Sequence, residues 1–251
     1  MTENEPTPEE IMAEASFTIR EPPKVLVPVE VLEGESLSVP LVEFLAPTEV
    51  VLLGYHVLPE QTPTEQASMQ FEDRAHAAID EIAAAFREAG REVETRVAFT
   101  HDRDATVDRV ASETDATAVL LPNPVGAVED VIVPVRGAVD VDRLADLVAT
   151  LLAGREGSVT LWGIDTGGEF DADAAVTRAR ETLADRGLAT DRVRTEFTES
   201  DTPVRAVVDR SAEFDVIVMG EGGPGVLTSL FGGDAERIAE GAVAPVLVVR
   251  D

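Results

Sequence analysis

The sequence predicts an α/β protein made of two doubly wound parallel sheets in tandem, and three observations predict it. First, an apolar run of buried-strand type, Val25-Leu26-Val27-Pro28-Val29, returns as Val131-Ile132-Val133-Pro134-Val135. Second, two further runs return in the same order. Val51-Leu52-Leu53-Gly54 matches Thr160-Leu161-Trp162-Gly163, and Val119-Leu120-Leu121 matches Ile217-Val218-Met219, each of the latter pair preceded by an acidic stretch. Third, amphipathic segments of helical period separate the runs. Strand and helix alternating twice over means βαβ units, helices on both faces of a parallel sheet, and a duplication.

The elements follow in order. Residues 1–22 are acidic and proline-bearing, with one short amphipathic stretch at Ile11-Met12, and read as an arm. Residues 23–126 form the first half and 127–251 the second. A helix over Phe71 to Ala89 stops at Gly90, and its counterpart over Ala172 to Arg186 stops at Gly187, each glycine standing where a helix C-terminus wants positive φ. After Leu121 the first half runs into Pro122-Asn123-Pro124-Val125-Gly126, and the next strand has begun by Val131. A parallel crossover needs about a dozen residues or more, usually a helix, so the first half ends after four strands. The second half continues from Met219 through a Gly-rich loop and a helix over Asp234 to Gly241 to a last strand, Val246 to Val249. That strand reads as an exposed pairing edge and predicts a homodimer through it.

Composition excludes several functions. The chain of 251 residues carries 49 acidic against 20 basic side chains, a net charge of −29, which repels nucleic acid and acidic membranes alike. Lys24 is the only lysine. Acid excess with arginine as nearly the sole cation resembles the proteins of salt-in halophiles, because molar salt shortens the Debye length to about 3 Å and screens carboxylate repulsion. Cysteine is absent, which removes disulfides, thiolate nucleophiles and Cys-ligated metals. No apolar run approaches the roughly 18 residues of a membrane span, and the acidic start lacks a signal peptide's pattern, so a soluble cytoplasmic protein is expected. A Walker lysine motif, a Gly-x-Ser-x-Gly elbow and a dinucleotide fingerprint are all missing from the sequence.

One spacing carries chemistry. Gly220-Glu221-Gly222-Gly223 precedes nine residues and then Gly233-Asp234. Its first glycine ends a buried strand and Gly233 opens a helix, the place where backbone N–H groups meet phosphate oxygens and where open α/β sheets bind ligands. With the Val-Pro-Val strand ends, Gly54-Tyr55-His56-Val57, the strand from Asp215 to Gly220 and the closing Pro-Val-Leu-Val-Val, this chain resembles the universal stress protein (UspA) family in tandem form. The resemblance implies strand order 3-2-1-4-5, dimerisation through the last strand and, in one subgroup, ATP or AMP with Mg²⁺ held by the loop. The residues it implicates here are Val135, Arg136, Met219, Gly220, Gly223, Gly233 and Asp234.

Two departures qualify that expectation. The nucleotide-binding pattern has Ser or Thr after the last glycine, where this chain has Asp234, and an Asp after the first strand, where the halves have Glu30 and Arg136. Asp234 caps a helix well, takes the N–H groups a phosphate would use, and adds negative charge there. Arg136 can compensate by pairing with Asp234 or by reaching a phosphate itself. The expectation is a non-enzymatic regulatory binding protein with a degenerate nucleotide site and an unidentified protein partner. The alternative is an ATP- or AMP-binding stress protein with weak or no hydrolysis. His56 and His101 read as hydrogen-bonded structural and loop residues, and Trp162 and Met219 as core.

Overall fold

The computed structural model of the chain describes residues 17–136, 140–168, 170–221 and 234–250. In the first half these are β1 (Lys24–Glu30), α1 (Val39–Leu45), β2 (Glu49–Val57), α2 (Thr64–Glu88), β3 (Glu94–Thr100), α3 (Arg103–Glu113) and β4 (Ala118–Leu121). The second half has β5 (Asp130–Val135), α4 (Val141–Leu151), β6 (Ser158–Asp165), α5 (Ala172–Asp185), β7 (Val193–Glu199), α6 (Pro203–Arg210), β8 (Val216–Gly220), α7 (Asp234–Gly241) and β9 (Val246–Val249). Gly90 and Gly187 end α2 and α5 at φ 75° and 98°, the left-handed turn the sequence asks of them.

The strands form one sheet, not two, in the order β3-β2-β1-β4-β9-β8-β5-β6-β7. Each half keeps the 3-2-1-4-5 order, and both use β9 as the fifth strand. β9 lies parallel to β8 and antiparallel to β4, with Leu120 opposite Leu247 and Val119 opposite Val248. The expectation of a free C-terminal edge is therefore corrected: both sides of β9 are taken within the chain, and a homodimer through that strand has no edge to form from. The physical reason is the short first half, which leaves β4 without a fifth strand and with an apolar ladder to satisfy.

The antiparallel seam also explains the short linker. The halves run in opposite directions, so β4 ends on the edge of the sheet where β5 begins. Three strand spacings separate them, about 14 Å. Residues 122–129 span roughly 26 Å when extended, so no crossover helix is needed.

Strand side chains alternate between two buried layers, and both layers cross the seam. Val25, Val27, Leu247 and Val249 pack on one face beneath α1, α2, α4 and α5. Leu26, Val246 and Val248 pack on the other beneath α3, α6 and α7. The end of the arm crosses the seam too. Phe17 packs against the first layer, and the N–H of Thr18 donates to the Arg186 carbonyl at 3.0 Å. Among the described residues no helix is long and apolar enough to cross a membrane.

Candidate functional site

The two halves put their strand carboxyl ends on opposite edges of the sheet. In the second half β5 ends at Val135 and its neighbour β8 at Gly220, the crevice where an open α/β sheet takes a ligand. The side chains of Val135 and Met219 are core, 4 % and 2 % exposed, so these residues can offer a ligand only backbone and shape. Arg136 follows Val135 and reaches across to the start of α7. Its Nη1 donates to Asp234 Oδ2 at 2.6 Å, while Arg237 Nη2 donates to Asp234 Oδ1 at 2.6 Å. One carboxylate thus engages two guanidiniums, and both its oxygens are occupied. The three side chains leave a local charge of +1 in a chain of −29.

Asp234 is the first residue of α7. The structure so brings together Val135, Arg136, Met219, Gly220 and Asp234. Gly223 and Gly233, with the rest of the loop at 222–233, lie outside the described residues. Arg237 joins the site although no sequence spacing singled it out; its signal is the i, i+3 step from Asp234, which places both on one face of a helix.

The equivalent place in the first half is filled by the chain itself. Glu30 ends β1, where its Oε1 lies 2.7 Å from His56 Nδ1, and its backbone N–H donates to Glu35 Oε2 at 2.6 Å. The His56 ring stands edge-on to Phe71 and Phe99. Beside them the Tyr55 hydroxyl is held above the ordinary phenol range by burial. Arg103 opposes that shift, and the Glu35 and Glu30 charges add to it. His56 is therefore a hydrogen-bonded structural residue as expected. His101 lies in a loop, its Nε2 3.0 Å from the Thr62 carbonyl. Asn123 of the linker stands where the first half would begin a Gly loop. Its Nδ2 donates to the carbonyls of Ala239, Ala242 and Ala244 at 3.2–3.3 Å, which closes the C-terminus of α7. Among the described residues no group of three or more His, Asp or Glu is placed to hold a metal ion.

No family model and no curated protein sequence matches this chain. Among solved structures it is similar to a universal stress protein from Archaeoglobus fulgidus, with 15 % identity, a TM-score of 0.63, and coverage of 92 % of this chain and 97 % of that one. It is also similar to a functionally unknown protein from Pseudomonas aeruginosa, with 15 % identity, a TM-score of 0.50, and coverage of 95 % and 94 %. The chain shares the fold of universal stress proteins over nearly its whole described length.

Proposed function

We propose that this chain is a non-enzymatic regulatory binding protein of the universal-stress type, cytoplasmic, with a degenerate adenine-nucleotide site in its second half. The observation that carries the reading is the double engagement of Asp234 by Arg136 and Arg237. A carboxylate stands where the nucleotide-binding pattern has a hydroxyl donor, and it offsets one of the two positive charges that a phosphate would meet there. The first half supports the same reading, because Glu30 is committed to His56 and Glu35 and the linker replaces the Gly loop. With no nucleotide response, signalling then falls to a protein partner.

The second reading, ATP or AMP binding without efficient hydrolysis, rests on two observations. The site keeps a local charge of +1, and Arg136 Nε is buried with no hydrogen-bond partner among the described residues. Titration calorimetry with ATP, ADP and AMP plus Mg²⁺ in molar KCl separates the readings. The expected result is no heat at millimolar nucleotide for the native chain and measurable ATP binding for Asp234→Ser, which removes the charge and supplies a hydroxyl. Micromolar binding by the native chain would replace the first reading with the second. Silence from both forms would mean that no latent nucleotide site exists.

The acid excess belongs to the same proposal as a salt adaptation. The melting temperature is expected to rise from dilute buffer to molar KCl as carboxylate repulsion is screened. A melting temperature that stays flat across that range would remove the halophile reading.

A further inference from the structure

With β9 buried in the middle of the sheet, the outer strands β3 and β7 are the edges left among the described residues, and they differ. β3 lies under the 25-residue helix α2, and most of its residues are partly covered. Every residue of β7 after Val193 is exposed. Phe197 is 50 % exposed there, resting against Gly163 and Val176 on the α5 side. Two surface clefts of about 510 and 450 Å³ flank it, and both are lined by Phe197 and Asp173.

We propose that β7 is the contact through which two copies of this chain associate, edge to edge and antiparallel, about a dyad at Thr195. A two-fold axis perpendicular to a sheet keeps each side chain on its own face, so a residue can oppose only residues an even number of positions away. Three central dyads are then open. With the axis at Glu196, two carboxylates stand directly opposite each other, which is unfavourable. With the axis at Phe197, Arg194 faces Ser200 and Glu196 faces Thr198, and neither charge finds a partner. With the axis at Thr195, Arg194 faces Glu196 of the second copy, and the same pair recurs across the dyad. On the opposite face Phe197 of the second copy comes opposite Val193, which is already buried at 6 % exposure, so charge rather than apolar cover selects this register. The strand is thus complementary to itself in charge in one register. Both charges are accessible: the Arg194 side chain is 63 % exposed and 3.9 Å from Asp130, and Glu196 is 45 % exposed where it meets Arg210 at 2.9 Å.

Opposing this pairing is the repulsion of two chains of charge −29. Salt screens that long-range term, while pairs that become partly buried at the strand contact are screened much less, so the dimer is a species of high salt. The test is sedimentation equilibrium of the full chain in 2 M KCl across a micromolar concentration series. The native chain is expected at twice the monomer mass. Arg194→Glu, which leaves the Glu196–Arg210 contact intact, is expected to weaken association on the order of tenfold or more, and Glu196→Arg likewise, because each sets like charges opposite one another twice. The exchanged pair Arg194→Glu with Glu196→Arg is expected to restore association. A native monomer, a dimer indifferent to either single change, or a lack of restoration by the exchange would each overturn the proposal.

Discussion

Ending the chain at Ala244 is expected to abolish the cooperative fold, an effect far larger than the loss of a dimer. The segment removed is β9, the strand between β4 and β8. Its four apolar residues, Val246 to Val249, are each at most 1 % exposed and fill both buried layers. At about 1.5–3 kcal/mol for each fully buried aliphatic side chain, they contribute roughly 6–12 kcal/mol. That is comparable to the whole stability of a typical domain, about 5–15 kcal/mol. Truncation also strips main-chain partners from β4 on one side and β8 on the other, exposing two apolar edges that invite aggregation. Urea unfolding followed by circular dichroism in molar KCl measures the effect. A truncated chain that unfolds cooperatively near the native urea midpoint would show that β9 is peripheral and that the single sheet is wrong.

Asp146→Ala is expected to destabilise the protein by about 3–5 kcal/mol, the range for removing one partner of a buried ion pair. Asp146, in the middle of α4, is 2 % exposed, and Arg186, at the end of α5, is 3 % exposed. Asp146 Oδ1 accepts from Arg186 Nε at 2.5 Å and from the Arg20 backbone N–H at 3.1 Å, and Oδ2 accepts from the Glu21 N–H at 3.1 Å. Arg186 Nη2 also reaches Asp142 at 2.8 Å. Burial pulls the Arg186 guanidinium downward as the largest single effect. The hydrogen bonds and charges of Asp146 and Asp142 together outweigh it and hold the group above its ordinary value. A raised value means that the arginine's share of this stability is present below the ordinary arginine range and is lost only as pH rises through the raised value. Alanine leaves that cation buried with one partner fewer and releases two N–H groups of the arm. Replacing Asp146 and Arg186 together by leucine and methionine is expected to recover much of the loss, since no charge is then stranded. Urea midpoints of the single and double variants decide the matter. A single variant within about 1 kcal/mol of native, the median scale of an exposed pair, would show that the carboxylate is not holding the arm.

Much of this architecture is written locally. The Val-Pro-Val runs, the alternation of apolar residues and the glycines at 90 and 187 fix strands, helices and their ends, because each signal acts over a few residues. The site is legible to the same degree. Arg136 and Asp234 stand out by departing from a known pattern, and their pairing is one of two outcomes that their charges allow. Arg237 escaped notice because a single arginine on a solvated helix face carries no distinguishing signal until a carboxylate is fixed beside it.

What the sequence could not decide is which elements share partners. The strand from Val246 to Val249 reads as an edge in any one-dimensional account, since each half is counted alone. Only in three dimensions does the first half present an unpaired β4, and only an antiparallel approach lets one strand serve both halves. Likewise Asp146 and Arg186 are two charges among 69 until the packing of α4 against α5 removes water from both. Local periodicity sets the elements because it depends on neighbours along the chain. The seam, the buried pair and the remaining open edge at β7 depend on which surfaces lose water together, and that is a property of the tertiary fold.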